Sequence, residues 1–452
     1  MDIIIAGCGK LGSTIASNLS AAGYDLTLID NDDTVLDHAI EVYDSIAIRG
    51  NCATLSVLHD AKVQSADLLI ATTNSDELNL LCCMTARSIN PNIHTIARIR
   101  NPEYHAQTYE MREAFGLSLM VNPERKAAKT IHKLIQLPGF LKRESFAKDR
   151  VEIVEIKIDH ESILKDVPLT NLYKIVKCKV LVCVILREGE VITPDGSTIL
   201  KENDRIFVTA QTNNLSLLLK NLGVISKRSG RVMLIGGGNI SLYLAQELIK
   251  SNIKVEIIEQ DATRCEELAG LLPEADIIHA DASKHSTLES EGLSECDTIV
   301  SLTGMDELNI ITSLYAAEHN VPQVITKVGY SDDYGILDKL PIGSIVCPKE
   351  LSCNSIVRYV RAMSNNEGAA VSVHTIADGL AEAVEFKVDE NTENLGVPLK
   401  KLKLKKGIIV ACITHQEIPT IPNGDSYFEK GDSIILITKS DRIVLNLNDI
   451  FG

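Results

Sequence analysis

The chain repeats itself. Asp2-Ile3-Ile4-Ile5-Ala6-Gly7-Cys8-Gly9-Lys10-Leu11-Gly12 returns as Arg231-Val232-Met233-Leu234-Ile235-Gly236-Gly237-Gly238-Asn239-Ile240-Ser241, an offset of 229. At the same offset Asp30 corresponds to Glu259, each closing an apolar run. Thr73-Asn74-Ser75-Asp76-Glu77-Leu78-Asn79 corresponds to Thr303-Gly304-Met305-Asp306-Glu307-Leu308-Asn309 at an offset of 230, and Pro194-Asp195-Gly196 to Pro422-Asn423-Gly424 at 228. Four ordered blocks at nearly one spacing define a structural unit present twice, and a period this long sets the architecture before any single motif is weighed.

Each copy divides in two. Its first part alternates short apolar runs with helical patterns, as a parallel α/β sheet requires. Its second part alternates strands with Pro/Gly turns, as in 151–158, 178–186 and 205–209. The expected fold class is α/β, a tandem repeat of a Rossmann-like doubly wound parallel-sheet domain followed by a small α+β domain. The expected boundaries are 1–122, a connecting helix in 123–148, 149–225, 230–347, a second connecting helix in 348–366, and 370–452. Ile131, Leu134 and Ile135 form an apolar stripe on the first helix, and Ile356, Val357 and Val360 on the second. That stripe suits packing within the subunit or an exchanged helix at a dimer interface.

The chemistry lies in the glycine loops. Gly7, Gly9 and Gly12 follow a strand, open a helix and precede an acidic residue at the end of the next strand, which is the context a dinucleotide-binding GxGxxG needs. Gly7 permits the tight turn, Gly9 lets a phosphate approach the backbone, and Gly12 lets helix and strand pack closely. The free N–H groups at the start of the helix face the anion. Asp30 is placed to accept ribose hydroxyls, and its charge repels a 2′-phosphate, so NAD or an adenosine nucleotide is favoured over NADP. In the second copy Gly236 and Gly238 persist, Glu259 replaces Asp30 and Ser241 replaces the third glycine, which predicts a modified pocket. Thr73 and Asn74 follow the strand 68–72 at the edge where nucleotides bind. Arg98 ends another strand and can clamp a phosphate by paired hydrogen bonds; its counterpart Lys327 offers a point charge.

Composition narrows the function. The chain has 452 residues, with 45 Lys+Arg against 61 Asp+Glu and a formal charge of −16. Nucleic-acid affinity draws on cationic side chains, so no nucleic acid is expected as the main partner. The cluster of Lys400, Lys401, Lys403, Lys405 and Lys406 reads as a solvated turn. No apolar run approaches the ~20 residues of a membrane span, and the N-terminus has no signal-peptide pattern. The 11 cysteines form no CxxC and no zinc spacing, so they are expected as reduced thiols in a cytoplasmic protein. No GxSxG, HExxH or Walker A motif occurs, and Asp30-Asn31-Asp32-Asp33 is no calcium loop, because Val35 stands where that loop needs glycine. No catalytic residue and no metal site are expected. An NAD-dependent oxidoreductase with duplicated Rossmann units is the alternative, and it lacks a visible catalytic set; an inert scaffold is a third reading.

Together these residues, with Ile96-Ala97-Arg98-Ile99-Arg100, Ile135-Gln136-Leu137-Pro138-Gly139 and both Pro-x-Gly…Asp units, resemble the two-copy RCK (KTN) regulators of potassium channels and transporters over essentially the whole length. The resemblance implies a non-enzymatic subunit whose RCK N-terminal lobes bind NAD/NADH or ATP/ADP. It implies a homo-oligomer, a dimer or a tetramer forming a ring, held at the inner face of the membrane by a Trk-type potassium channel that it gates by changing shape. Nucleotide contacts carried over from the resemblance are Gly7, Cys8, Gly9, Lys10, Leu11, Asp30, Thr73, Asn74 and Arg98, with Gly12 beside them. In the second copy they are Gly236, Gly237, Gly238, Asn239, Ile240, Glu259, Asp281, Ala282, Thr303 and Lys327. On the adenine side, Asp281 and Ala282 keep the family's small/acidic pattern, whereas Asn51 and Cys52 alter it.

Overall fold

The structure is a computed structural model and describes residues 1–43, 45–147, 149–223, 230–329, 337, 340–363, 370–416, 418–439, 444 and 446–452. Of the expected boundaries, 148, 224–225 and 364–366 lie outside the described residues. The chain forms two compact units, Met1–Lys126 with Pro348–Val360, and Ala127–Cys347 with Arg361–Gly452.

In the first unit, strands β1 (Asp2–Ala6), β2 (Asp25–Asp30), β3 (Ser45–Arg49), β4 (Leu68–Ala71), β5 (His94–Arg98) and β6 (Leu119–Val121) form a sheet in the order β3-β2-β1-β4-β5-β6. β1 pairs in parallel with β2 on one side and β4 on the other. A strand covered on both faces must be apolar throughout, and Ile3, Ile4, Ile5 and Ala6 are all buried. The helices α1 (Lys10–Ala21), α2 (Asp33–Val42), α3 (Leu55–Asp60), α4 (Asp76–Ile89) and α5 (Pro102–Glu110) connect these strands. α4 starts at a capping residue: the Ser75 hydroxyl accepts from Leu78 N at 3.1 Å, and Asp76 and Glu77 fill the first turn.

In the second unit the same plan recurs with β12 (Arg231–Ile235), β13 (Lys254–Glu259), β14 (Asp276–His279), β15 (Thr298–Ser301), β16 (Gln323–Lys327) and β17 (Ser344–Val346), ordered β14-β13-β12-β15-β16-β17. Its helices are α9 (Asn239–Lys250), α10 (Ala262–Leu271), α11 (His285–Ser290) and α12 (Asp306–Glu318). In both sheets the strand order reverses beside the first strand, which opens a crevice at the C-terminal ends of the strands. The glycine loops sit there.

The second unit also holds two antiparallel five-stranded sheets. One is β7 (Lys142–Phe146), β8 (Val151–Lys157), β9 (Val180–Arg187), β10 (Glu190–Ile192) and β11 (Arg205–Gln211), ordered β10-β9-β11-β8-β7, with α7 (Leu172–Val176) and α8 (Leu215–Asn221). The other is β18 (Ala370–Ile376), β19 (Ala381–Lys387), β20 (Ile409–His415), β21 (Ile418–Thr420) and β22 (Ser433–Lys439), ordered β18-β19-β22-β20-β21. These are one topology twice. The two sheets share a core that joins Phe146, Ile153, Val184 and Phe207 to Ile376, Ala383, Cys412 and Ile435. At its edge Arg205 bridges the fully buried Glu155 carboxylate and Asp378 of the other lobe, which compensates charges that would be costly to bury alone.

The connecting helices change places between the copies. α6 (Pro123–Gln136) follows the first Rossmann sheet, yet from Ala127 onward it belongs to the unit of the second: Gln323 Nε2 donates to Leu134 O at 3.0 Å and His132 Nε2 lies 3.1 Å from Ser251 Oγ. α13 (Pro348–Met363) follows the second sheet, yet through Val360 it packs in the unit of the first: Tyr359 Oη meets His94 Nδ1 at 2.8 Å, and the Cys353 thiol faces Thr14 O. Of the two packings the apolar stripes suit, the structure shows packing within the subunit, with each helix set against the other copy of the same chain. All 11 cysteines are free and buried. Among the described residues no helix is long and apolar enough to cross a membrane.

Candidate nucleotide-binding sites

In the first site Gly7 has φ +90°, a left-handed conformation that favours glycine, and a Cβ there would lie 2.6 Å from Thr73 N. A Cβ on Gly12 would lie 2.0 Å from Gly7 O, so α1 can start against β1 only because Gly12 has no side chain. Gly9 is different in kind: a Cβ there would meet nothing within 4 Å. Its expected role is approach to a ligand, and open space is what that role needs. Lys10 and Leu11 begin α1 beside it.

Asp30 braces the loop. Its Oδ2 accepts from Cys8 N at 2.6 Å, and its Oδ1 accepts from Asn31 N at 2.7 Å and Asp32 N at 3.1 Å. Each carboxylate oxygen has two lone pairs, so Oδ2 can still accept one ribose hydroxyl. Cys8 lies beneath; burial, helped by the Asp30 charge, pushes its thiol up to about 12. The Cys8 carbonyl accepts from Ser13 Oγ at 2.6 Å.

The site's floor is built by a residue that the expected contact set omits. Asn79, fully buried, accepts from Thr73 N at 2.8 Å and Thr73 Oγ1 at 2.7 Å through Oδ1, and donates to Arg98 O at 2.9 Å through Nδ2. It thereby ties the end of β4 to the end of β5. Asn309 does the same in the second copy, with Thr303 N at 2.8 Å and Lys327 O at 3.1 Å. The signal was available: both asparagines close the repeated Thr…Asp-Glu-Leu-Asn block. Asn74 contributes its carbonyl to Arg100 Nη2. Arg98 is mostly buried; desolvation first, then the neighbouring Arg100 charge, moves its guanidinium below the usual arginine range. Its buried Nε takes no hydrogen-bond partner among the described residues, the kind of vacancy an anionic ligand satisfies. At the end of β3, Asn51 Oδ1 accepts from Ala53 N at 3.0 Å and Cys52 is buried.

The second site keeps the plan with different chemistry. Glu259 Oε2 accepts from Gly237 N at 2.6 Å and its Oε1 from Asp261 N at 2.8 Å. Gly236 has φ +99°, and a Cβ on it would lie 3.1 Å from Thr303 N, 0.5 Å further than its counterpart in the first loop. Ser241, fully buried, donates through Oγ to Gly236 O. The extra side chain sits in a looser loop, and its hydroxyl takes over the bond that Thr72 Oγ1 makes to Gly7 O at 2.8 Å in the first loop, where the second copy has Leu302. A Cβ on Gly238 would again meet nothing within 4 Å, and Asn239 and Ile240 begin α9. Lys327 Nζ donates to Thr303 O at 2.5 Å, which occupies part of the charge assigned to a phosphate. Asp281 Oδ1 accepts from Ser283 N at 3.0 Å, and the Ser283 hydroxyl and amide hold its carboxyl below the usual range; Ala282 follows it. A cleft of about 620 Å³ elsewhere in the second unit is lined by Val191, Ile192, Thr193, Lys406, Gly407, Thr438 and Lys439, and contains none of these residues. Concavity alone would mislead; the loops carry the chemistry.

Family models decide the lineage. The TrkA-N domain matches residues 3–123 and 232–348, and the TrkA-C domain matches 153–223 and 383–447. The chain is a member of the TrkA family. It is 31% identical over 446 residues to Trk system potassium uptake protein TrkA homolog 1 of Methanosarcina mazei, covering 97% of each chain. It is 30% identical to Trk system potassium uptake protein TrkA of Haemophilus influenzae, covering 100% of this chain and 98% of that one. The GsuK RCK domain superposes with a TM-score of 0.63 at 17% identity over 97% of this chain and 92% of its own, and the GsuK channel bound to NAD with 0.62 at 17% over 97% and 77%. At that identity the likeness is one of fold. The TrkA relatives are potassium-uptake proteins, so the oxidoreductase alternative has no support among them.

Proposed function

We propose that this TrkA-family chain is the nucleotide-sensing regulatory subunit of a Trk-type potassium uptake system, and that nucleotide binding biases its shape and so gates the membrane subunit. The observation that carries the reading is the doubled glycine loop, each copy with an open middle glycine, a carboxylate bracing the loop and an asparagine-built floor. A nucleotide fits the first site: Arg98 Nε is buried without a partner among the described residues, and Gly9 leaves room for phosphate. Gly7 to Leu11, Asp30, Thr73, Asn74 and Arg98 would hold NAD, NADH, ATP or ADP there. Gly236 to Ile240, Glu259, Asp281, Ala282, Thr303 and Lys327 would do so in the second. The solved GsuK channel with NAD is a fold-level precedent.

In this reading 1–122 and 230–347 sense the nucleotide, while 149–225 and 370–452 pair and transmit. The protein works as a homo-oligomer at the cytoplasmic face of the membrane, held there by its partner. A ligand moves such an equilibrium only by its differential affinity for the two shapes. Thermal shift and small-angle scattering with NAD, NADH, ATP, ADP and NADPH test it on the parent and Asp30→Ala. Stabilisation by an adenine nucleotide, weakened in Asp30→Ala and accompanied by a changed scattering profile, is expected. Binding with no change in profile or in affinity for the membrane partner would sink the switch.

A further inference from the structure

The two loops differ at one carbonyl. In the first copy the Cys8 carbonyl is capped by the Ser13 hydroxyl. In the second the equivalent Gly237 carbonyl accepts from Arg264 Nε at 2.8 Å. Arg264 Nη2 reaches Asn239 Oδ1 at 3.4 Å, where the first copy carries Lys10, and Nη1 pairs with Glu267 at 2.8 Å. Glu259 holds the amide of the residue whose carbonyl Arg264 holds. A cation has been brought onto the glycine loop from α10.

Its placement runs against local preference. Arg264 is in the first turn of α10, where the helix dipole favours acidic side chains, and the first copy has Val35 there. The Asp261 cap fixes the position by accepting from Arg264 N at 2.9 Å. The contacts above engage three of the five guanidinium N–H groups, and the side chain is 25% exposed. The second site meanwhile has Asn239 in place of Lys10 and a lysine drawn to Thr303 O in place of Arg98.

We infer that Arg264 is a ligand-binding residue of the second site, supplying to a nucleotide phosphate the cation that Lys10 and Arg98 supply in the first. This rests on the nucleotide-sensing reading above and adds a contact absent from the family-derived set. It makes the second site's preference for phosphate depend on a residue of α10 in addition to Lys327 at the end of the fifth strand.

The test is calorimetric titration of the full-length protein with ADP and with adenosine, for the parent, Arg264→Gln and Arg264→Lys. The parent is expected to show two classes of ADP site. Arg264→Gln should weaken ADP at one class by about tenfold, the size of one lost charge-assisted hydrogen bond, leaving the other class and all adenosine binding unchanged. Arg264→Lys should recover part of the loss, and it keeps the test usable if the glutamine variant is unstable. Equal weakening of ADP and adenosine would overturn the inference, since Arg264 would then only support the loop; so would unchanged ADP binding at both classes. A parent with no second class of site would overturn the nucleotide reading of that copy, and this inference with it.

Discussion

The first glycine loop is closed tightly on Gly12 and presents a neutral cap, whereas the second is looser, carries Ser241 and is gripped by an arginine. Beneath both loops the floor is the same, down to the asparagine bonds of 2.8 Å to the threonine amides. The two copies therefore share the floor of the site and differ in the loop above it and in the groups a ligand would meet. Parts that hold backbone to backbone cannot change singly, because each buried polar atom released would be left unsatisfied. Side chains at the rim can change one at a time.

The largest effect expected from breaking this comparison is at the third glycine. Gly12→Val places atoms 2.0 Å from Gly7 O, and overpacking of about 1–3 kcal/mol should weaken nucleotide at the first site by roughly ten- to a hundredfold. Gly12→Ser should be milder because its side chain is smaller, and milder still when combined with Thr72→Leu, since the second loop pairs Ser241 with Leu302. Calorimetric titration of both variants checks the order; equal losses would mean that the second loop's solution does not transfer.

Next in size is the floor. Asn79→Ala and Asn309→Ala each strand buried backbone partners, so each should lower the melting temperature of the protein by several degrees. Similar drops are expected, since the bonds are alike; a marked asymmetry would show that the two floors are not equivalent. The smallest effect is at the rim. Arg98→Lys converts the first site toward the second, and should cost about threefold to tenfold in ADP affinity, roughly one ordinary hydrogen bond since the charge is kept, with no change in melting temperature of the unliganded protein. A loss of stability would reassign Arg98 to the scaffold.

Much of this was legible in the chain. Gly7, Gly9 and Gly12, the acid at the end of the second strand and the Thr-Asn block declare themselves by spacing, because backbone geometry permits few residue types there. Ser241 also announced a modified loop. Asn79, Ser13 and Arg264 did not stand out, because what they touch is distant in sequence or ordinary in type. Arg264 reads as a surface helix residue until α10 is folded against the loop.

The sequence by itself determined the duplication, the parallel sheets and the glycine-loop chemistry, since periodicity and glycine placement are local properties of the chain. Only the tertiary structure decided that α6 and α13 trade places between the copies, and that Arg264 lies on the second loop. An apolar stripe states that a helix must be covered without stating by what, and a long cationic side chain finds its partner only when folding fixes what is within its reach.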